Sequence, residues 1–370
     1  MSPHYFDTVT SERYYTKNAK DAKPLSDLPV GSGSSWGTQH LKACHVIVSS
    51  NVDICFPLLD DYDLTIRETF KAGEENAHIA AFIKGLASNH QTMRQHALVR
   101  EVDATLARFW VALRDMKGLK ANKEEPQNNQ RTSGRVRLQT THPGYVDSEC
   151  IASSSQDHES SQESSSTNAK DSFTSVQRPA AYLPVEAYTV ELAFSAITHI
   201  LLYTQDPSLD MSVEIRQPER HYLQVKDKRI TAIDDGGLTV ISRAGARTKN
   251  SVVLIEAKRR LDVCEKTNLP FVSDERLGQM TCEAVAARSS RQGGTSLDDI
   301  FVISTAQHYM CLFHFIVTAS HLDDLKNGIV PRTAINVTAT RWLDLERRND
   351  RKCIVKNVLQ LAEYMRQMEG

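Results

Sequence analysis

Between residues 221 and 257 the chain carries four short runs of β-branched and apolar residues that follow one another too closely for helices to intervene. They are HYLQV (221–225), ITAID (230–234), LTVIS (238–242) and SVVLIEA (251–257). Asp235-Gly236 and Ala244-Gly245 punctuate them as turns. Long, helix-type patterns bracket the block. VEAYTVELAFSAITHILLYT follows Pro184, a residue suited to the first turn of a helix. SDERLGQMTCEAVAARSS (273–290) offers Ser273 as an N-cap, with Asp274 and Glu275 at the end where a helix dipole favours acids. DIFVIST (299–305) and MCLFHFIVTA (310–319) then read as a hairpin across Ala306-Gln307-His308. A last helix is expected over 353–368, with Ile354, Val358, Leu361 and Met365 as its buried stripe. Strands and helices in this order predict an α/β (α+β) domain over 179–370, a mixed central sheet flanked by helices.

The rest of the chain divides by composition. Residues 1–34 are polar and are expected to form a mobile tail. Residues 35–117 read as an additional N-terminal, mainly helical part, free-standing or packed on the core. It has a short strand or buried run at CHVIVSS (44–50), a helix over 63–87 and a second over 92–117. Residues 118–178, with SSSQDHESSQESSSTNAK, hold too little apolar surface to offset chain entropy and are expected to be a disordered linker or insertion. The net charge of −2 argues against a protein that coats nucleic acid non-specifically, but allows a local basic groove. No run of about 18 apolar residues and no apolar leader is present, so no membrane association is expected. The seven cysteines are scattered, with no C-x-x-C, as expected of free thiols inside a cell, in nucleus or cytoplasm.

The residues suited to chemistry gather at one strand end. Glu256 and Lys258 flank Ala257 where the apolar run 251–257 stops. Residues two apart in a strand share a face, about 6.6 Å apart at a rise of ~3.3 Å per residue. This is the only Glu-x-Lys in the chain, and the Asp-x-Lys triplets at 21, 115, 324 and 350 cap no apolar strand. A carboxylate there can hold Mg²⁺ (or Mn²⁺), and a lysine can orient or deprotonate a water or neutralise phosphate charge. Antiparallel pairing of 238–243 with 251–256 would bring Asp235 to the same end, where Gly236 and Gly237 would admit a ligand close to the backbone. Lys258, Arg259 and Arg260 would form a basic step for phosphates. Either Asp234 or Asp235 can be the metal ligand, and Asp235 has the better spacing to Leu238. The cluster Arg347, Arg348, Arg351 and Lys352 reads as a solvated helix junction ahead of a DNA contact, and Trp36, Trp110 and Trp342 as packing residues.

Asp235, the gap of some twenty residues and the apolar strand ending Glu256-Ala257-Lys258 resemble the PD-(D/E)XK, or restriction-endonuclease-like, nuclease superfamily. The LIEAKR run (254–259) is similar to that of fungal-type members. The resemblance spans about residues 180–320. It implies a metal-dependent nuclease acting on DNA, or on RNA, with Asp235 and Glu256 as metal ligands and Lys258 as the residue that positions water. Gln279 on the next helix would be an auxiliary residue. Glu191, ahead of Glu186, would be the further acid on the preceding helix. The superfamily's Pro-Asp is Asp234-Asp235 here, which leaves open a catalytically inactive module that binds nucleic acid or a protein.

Overall fold

The computed structural model describes residues 4–29, 31–49, 76–121, 186–248, 252–291 and 298–369. Among the described residues there are ten strands: β1 (Val46–Val48), β2 (Met211–Arg216), β3 (Arg220–Val225), β4 (Lys228–Ile233), β5 (Gly236–Ser242), β6 (Val253–Lys258), β7 (Asp299–Ala306), β8 (Tyr309–Ile316), β9 (Ile335–Ala339) and β10 (Leu343–Asp344). Eight form one mixed sheet in the order β1-β9-β8-β7-β6-β5-β2, with β10 also paired to β8. Strands β6 and β7 run parallel, as do β1 and β9, and the remaining pairs are antiparallel. The β3–β4 pair is a separate hairpin between β2 and β5.

Helices cover both faces. They are α1 (Tyr5–Thr8), α2 (Glu12–Asn18), α3 (Thr38–Ala43), α4 (Ala77–Lys84), α5 (Gln95–Glu101), α6 (Ala104–Ala121), α7 (Glu186–Thr204), α8 (Asp274–Ser290), α9 (Ala319–Lys326) and α10 (Arg348–Glu369). The central strands are apolar on both sides, so alternate residues enter different cores. Val253, Ile255, Phe301 and Ile303 meet α4, α6, α7 and α10 on one face. Leu254, Ile300, Val302 and Phe313 meet α8, the β3–β4 hairpin and the N-terminal segment on the other. The parallel β6–β7 pair needs a crossover, and α8 supplies it. The result is a mixed α/β architecture, a central sheet between two helical layers.

The strands expected at 221–225, 230–234, 238–242 and 251–257 are β3 to β6, and 299–305 and 310–319 form the hairpin β7–β8. Helix α8 begins after Ser273, whose side chain accepts from the Arg276 amide as expected of an N-cap. The single helix expected over 92–117 is instead two, because Asp103 Oδ1 accepts from the amides of Thr105 (2.8 Å) and Leu106 (3.3 Å) and starts a new helix there. Part of the expected helix 63–87 and the whole of 122–185 lie outside the described residues. Helices α4 to α6 pack directly on α7 and α10 in one core with the sheet. Among the described residues, the five cysteines are free and no helix is long and apolar enough to cross a membrane.

The expectation of a mobile tail over 1–34 is overturned for residues 4–29. Tyr5, Phe6, Val9, Tyr15, Leu25 and Leu28 are buried in the core on the α8 side of the sheet. Composition misleads here because apolar and aromatic residues are spaced among many polar ones, and a few aromatic anchors suffice to dock a segment. Phe6 packs edge-on against Phe313 of β8, with ring centroids 6.2 Å apart. Phe6→Ala is therefore expected to lower the unfolding free energy by about 3 kcal/mol in urea titration, whereas a residue of a mobile tail would change it by less than about 0.5 kcal/mol.

Candidate active site

The site forms where β5 begins and β6 ends. Antiparallel register pairs Gly236 with Ile255 and Leu238 with Val253, and the Asp235 amide donates to the Ile255 carbonyl at 3.0 Å. That places Asp235 beside Glu256, as the sequence spacing predicts. Asp235 Oδ2 accepts from the Ala257 amide at 2.8 Å. Glu256 and Lys258 share the face beneath α8 and form an ion pair, Nζ to Oε1 2.7 Å. Gln279 on α8 donates its Nε2 to the same Glu256 oxygen at 2.5 Å and to Glu283 Oε1 at 3.0 Å. Asp235, Glu256, Lys258 and Gln279 thus come together.

Asp234 and Asp235 have opposite roles. The Asp234 carboxylate is buried and accepts from both terminal nitrogens of Arg216 (3.0 and 2.6 Å) and from His221 Nε2 (2.7 Å). It also accepts from the amides of Glu219 and Gly236. Burial alone would raise its pKa, but the His221 and Arg216 hydrogen bonds hold it below the usual carboxylate range. Asp234 is thus fully committed to structure. Asp235 has one backbone donor, and burial with the neighbouring Glu256 charge pushes its pKa up to about 8, despite that amide and Lys258.

Two expectations need correction. Glu191 is at the surface, bound by Arg108 through Nε–Oε1 (2.5 Å) and Nη2–Oε2 (2.9 Å). The acid that acts on the site from α7 is Glu186, which raises the pKa of both Asp235 and Lys258. Helical geometry explains the exchange. At ~3.6 residues per turn, positions five apart point about 140° away from each other. Glu186 shares its side with Thr189, whose hydroxyl faces the Lys258 carbonyl at 3.4 Å. Second, Gly236 and Gly237 do not open the backbone to a ligand. A Cβ on Gly236 would lie 2.5 Å from the Phe194 ring, and one on Gly237 would lie 2.6 Å from the Arg216 guanidinium. The glycines make room for the protein's own side chains and, at Gly237, for the Val253 carbonyl, 2.4 Å from such a Cβ.

Sequence reasoning missed Glu283. It is buried one turn beyond Gln279, and burial together with Glu256 holds its carboxyl well above the usual range. The Gln-x-x-x-Glu spacing on one helix face was the available signal. The basic step after β6 is half-buried. Arg276 Nη2 donates to the Arg260 carbonyl at 2.7 Å and Nε to Asp262 at 3.2 Å, fixing the chain that leaves Lys258. Arg351, read as part of a solvated junction, is buried and donates to the carbonyls of Phe82, Ile83, Leu345 and Glu346. Trp36 and Trp110 are core residues.

The acids outnumber their cation. Glu256 Oε2 and Glu283 Oε2 are buried without a hydrogen-bond partner, a costly arrangement unless a proton or a cation joins them. Among the described residues no three His, Cys, Asp or Glu side chains form a ready-made metal cage. Asp235 and Glu256 fit the sparser need of Mg²⁺, which takes one or two carboxylates and completes its shell with water and substrate phosphate. Scans of the chain against protein-family models, characterised proteins and solved structures find no match.

The two aspartates separate by experiment. Asp234→Ala leaves Arg216 charged and buried, and is expected to cost about 3–5 kcal/mol in urea unfolding. Asp235→Asn leaves the fold intact and changes its pH dependence. Between pH ~4 and ~8 the folded chain holds a proton on Asp235 that the unfolded chain has lost. Stability of the metal-free protein should therefore fall as pH rises through that window. Chemical denaturation in EDTA at both ends of the window should show a larger fall for the wild type than for Asp235→Asn.

Proposed function

We propose that this protein is a metal-dependent phosphodiesterase of the restriction-endonuclease-like type, hydrolysing DNA or RNA. The observation that carries the reading is the convergence of Asp235, Glu256, Lys258 and Gln279 at one strand end, with Glu283 as a further acid beside a single lysine. Asp235 and Glu256 would hold Mg²⁺ or Mn²⁺. A bound metal supplies Lewis-acid polarisation and neutralises charge on a phosphoryl group. Lys258 has the remaining polar role. Glu256 raises its pKa in spite of burial, so it is an ammonium at neutral pH. It therefore acts as a donor that orients the attacking water and offsets charge growing on the phosphate oxygens, not as the base. Gln279 fixes the Glu256 carboxylate by donating to Oε1, leaving Oε2 as the free ligand atom. Arg259 and Arg260, half-buried just after β6, would contact flanking phosphates.

A second reading is a catalytically inactive module on the same framework, binding nucleic acid or a protein. The closed Lys258–Glu256 ion pair favours it, since the pair satisfies itself without a metal. Cleavage of supercoiled plasmid, single-stranded DNA and RNA with Mg²⁺ or Mn²⁺ decides between them. Wild type should cut, and Lys258→Ala and Glu256→Ala should lose at least about a hundredfold in rate, the scale of one group stabilising transition-state charge. Activity in Lys258→Ala equal to wild type would remove the assignment. No cutting, together with no Mg²⁺ uptake by calorimetry, would select the binding module.

A further inference from the structure

The β3–β4 hairpin has two unlike faces. Strand alternation turns His221, Leu223, Val225, Ile230 and Ala232 inward, His221 to Asp234 and the others to the core beside α8. Arg220, Tyr222, Gln224 and Arg229 are left on the solvent side. Register pairs Tyr222 with Thr231 and Gln224 with Arg229, which makes Arg229 the diagonal neighbour of Tyr222. The Arg229 guanidinium sits 3.6 Å above the centre of the Tyr222 ring. Tyr222 is nevertheless 38% exposed, the only large apolar side chain among the described residues of the hairpin that is.

The turn adds a fixed cation. Lys226 takes a left-handed φ of 51°, unusual for a lysine, and its amide donates to the Lys326 carbonyl at 2.9 Å. Its stem runs over Gly328, where a Cβ would lie 2.1 Å from Lys226 Cε. Lys228 is tied to the body, its ammonium donating to the Ser26 carbonyl at 2.5 Å. In a chain of net charge −2, this hairpin carries four cationic residues and one acid, Asp227.

We propose that the outward face of the β3–β4 hairpin binds single-stranded nucleic acid, with Arg220, Lys226 and Arg229 on its phosphates and the Tyr222–Arg229 stack against a base. Local positive charge with an aromatic platform suits a polyanion with flat bases. A protein partner would need an apolar centre to the patch, and Tyr222 alone does not make one. An exposed ring stacks only on an unpaired base, which selects single strands over duplex. The strand leads to the site. Thr231, opposite Tyr222, is four residues before Asp235, at most about 13 Å at ~3.3 Å per residue, a span that a few nucleotides cover. The choice of nucleic acid rests on reading the site as a phosphodiesterase, but the binding needs no catalysis.

The test is fluorescence anisotropy of labelled single-stranded DNA, single-stranded RNA and duplex DNA in EDTA, over a range of salt. It compares wild type, Arg220→Ala/Arg229→Ala, Tyr222→Ala and Lys258→Ala. Wild type should bind single strands of DNA, of RNA or of both. The double variant should bind roughly tenfold more weakly, with a shallower salt dependence as phosphate contacts are lost. Tyr222→Ala should lose about fivefold or more on single strands and nothing on duplex. Circular dichroism and the thermal midpoint should match wild type, since all three side chains are exposed. No binding by wild type, or hairpin variants that bind single strands as wild type does, would overturn the proposal. If wild type cleaves and the hairpin variants bind and cleave normally, the hairpin proposal fails alone. If nothing cleaves but binding depends on the hairpin, the nuclease reading fails alone.

Discussion

The buried ion cluster of Asp234, Arg216 and His221 is the constraint on which the site depends. It joins three elements, since Arg216 closes β2, His221 lies on β3 and Asp234 sits between β4 and β5. Charges removed from water are tolerated only when geometry and hydrogen bonding are nearly complete. Asp234 meets that demand with donors from two side chains and two backbone amides. The cluster therefore fixes the backbone on both sides of Asp234, and Asp235 has no freedom to exchange with it. The order of two adjacent, chemically identical residues is decided by which of them finds an arginine.

Helix α8 is the second fixed part. It is buried along most of its length, and its position sets where Gln279 and Glu283 meet the sheet. Its N-terminal turn is held by the first residues of the chain. Asp274 accepts from the Tyr5 amide at 2.8 Å and from the Thr38 hydroxyl at 2.5 Å. The segment that composition assigns to a mobile tail is in this way part of the support for helix α8. Loosening it would shift Gln279 relative to Glu256, and a displacement of about 1 Å is enough to weaken a preorganised site.

Much of the fold was legible in the sequence because β3 to β8 are bounded by strong turn signals and rich in β-branched residues. The strands that escaped were those whose pattern is diluted. β2 is an edge strand that mixes Ser212, Glu214 and Arg216 with its apolar residues, and β9 and β10 are short. Within the site, Asp235, Glu256 and Lys258 were legible from strand-end position and spacing, and Gln279 only through the family resemblance. Glu191 was chosen over Glu186 because linear sequence does not say which side of α7 faces β6, and only the packing of Thr189 against Lys258 does. Glu283 was invisible for a related reason, since a buried carboxyl on an alanine-rich helix reads as a surface residue until its neighbours are placed.

The balance of charge at the site supports function over stability. A framework selected for stability alone would replace Glu283, and the Glu256–Lys258 pair as a unit, with apolar residues of similar size, because exchanging a buried ion pair for apolar packing is commonly neutral or favourable. This chain keeps both glutamates, gives them one lysine and one glutamine, and leaves an oxygen of each without a donor. It also places a third acid, Asp235, where burial, together with the Glu256 charge, pushes its pKa far above that of an exposed aspartate. Perturbed carboxyls gathered around one lysine mark a candidate functional site. The same arrangement explains why Asp234 must be so completely satisfied. The fold can bury a sparsely partnered carboxyl at residue 235 because the charge at residue 234 is fully compensated.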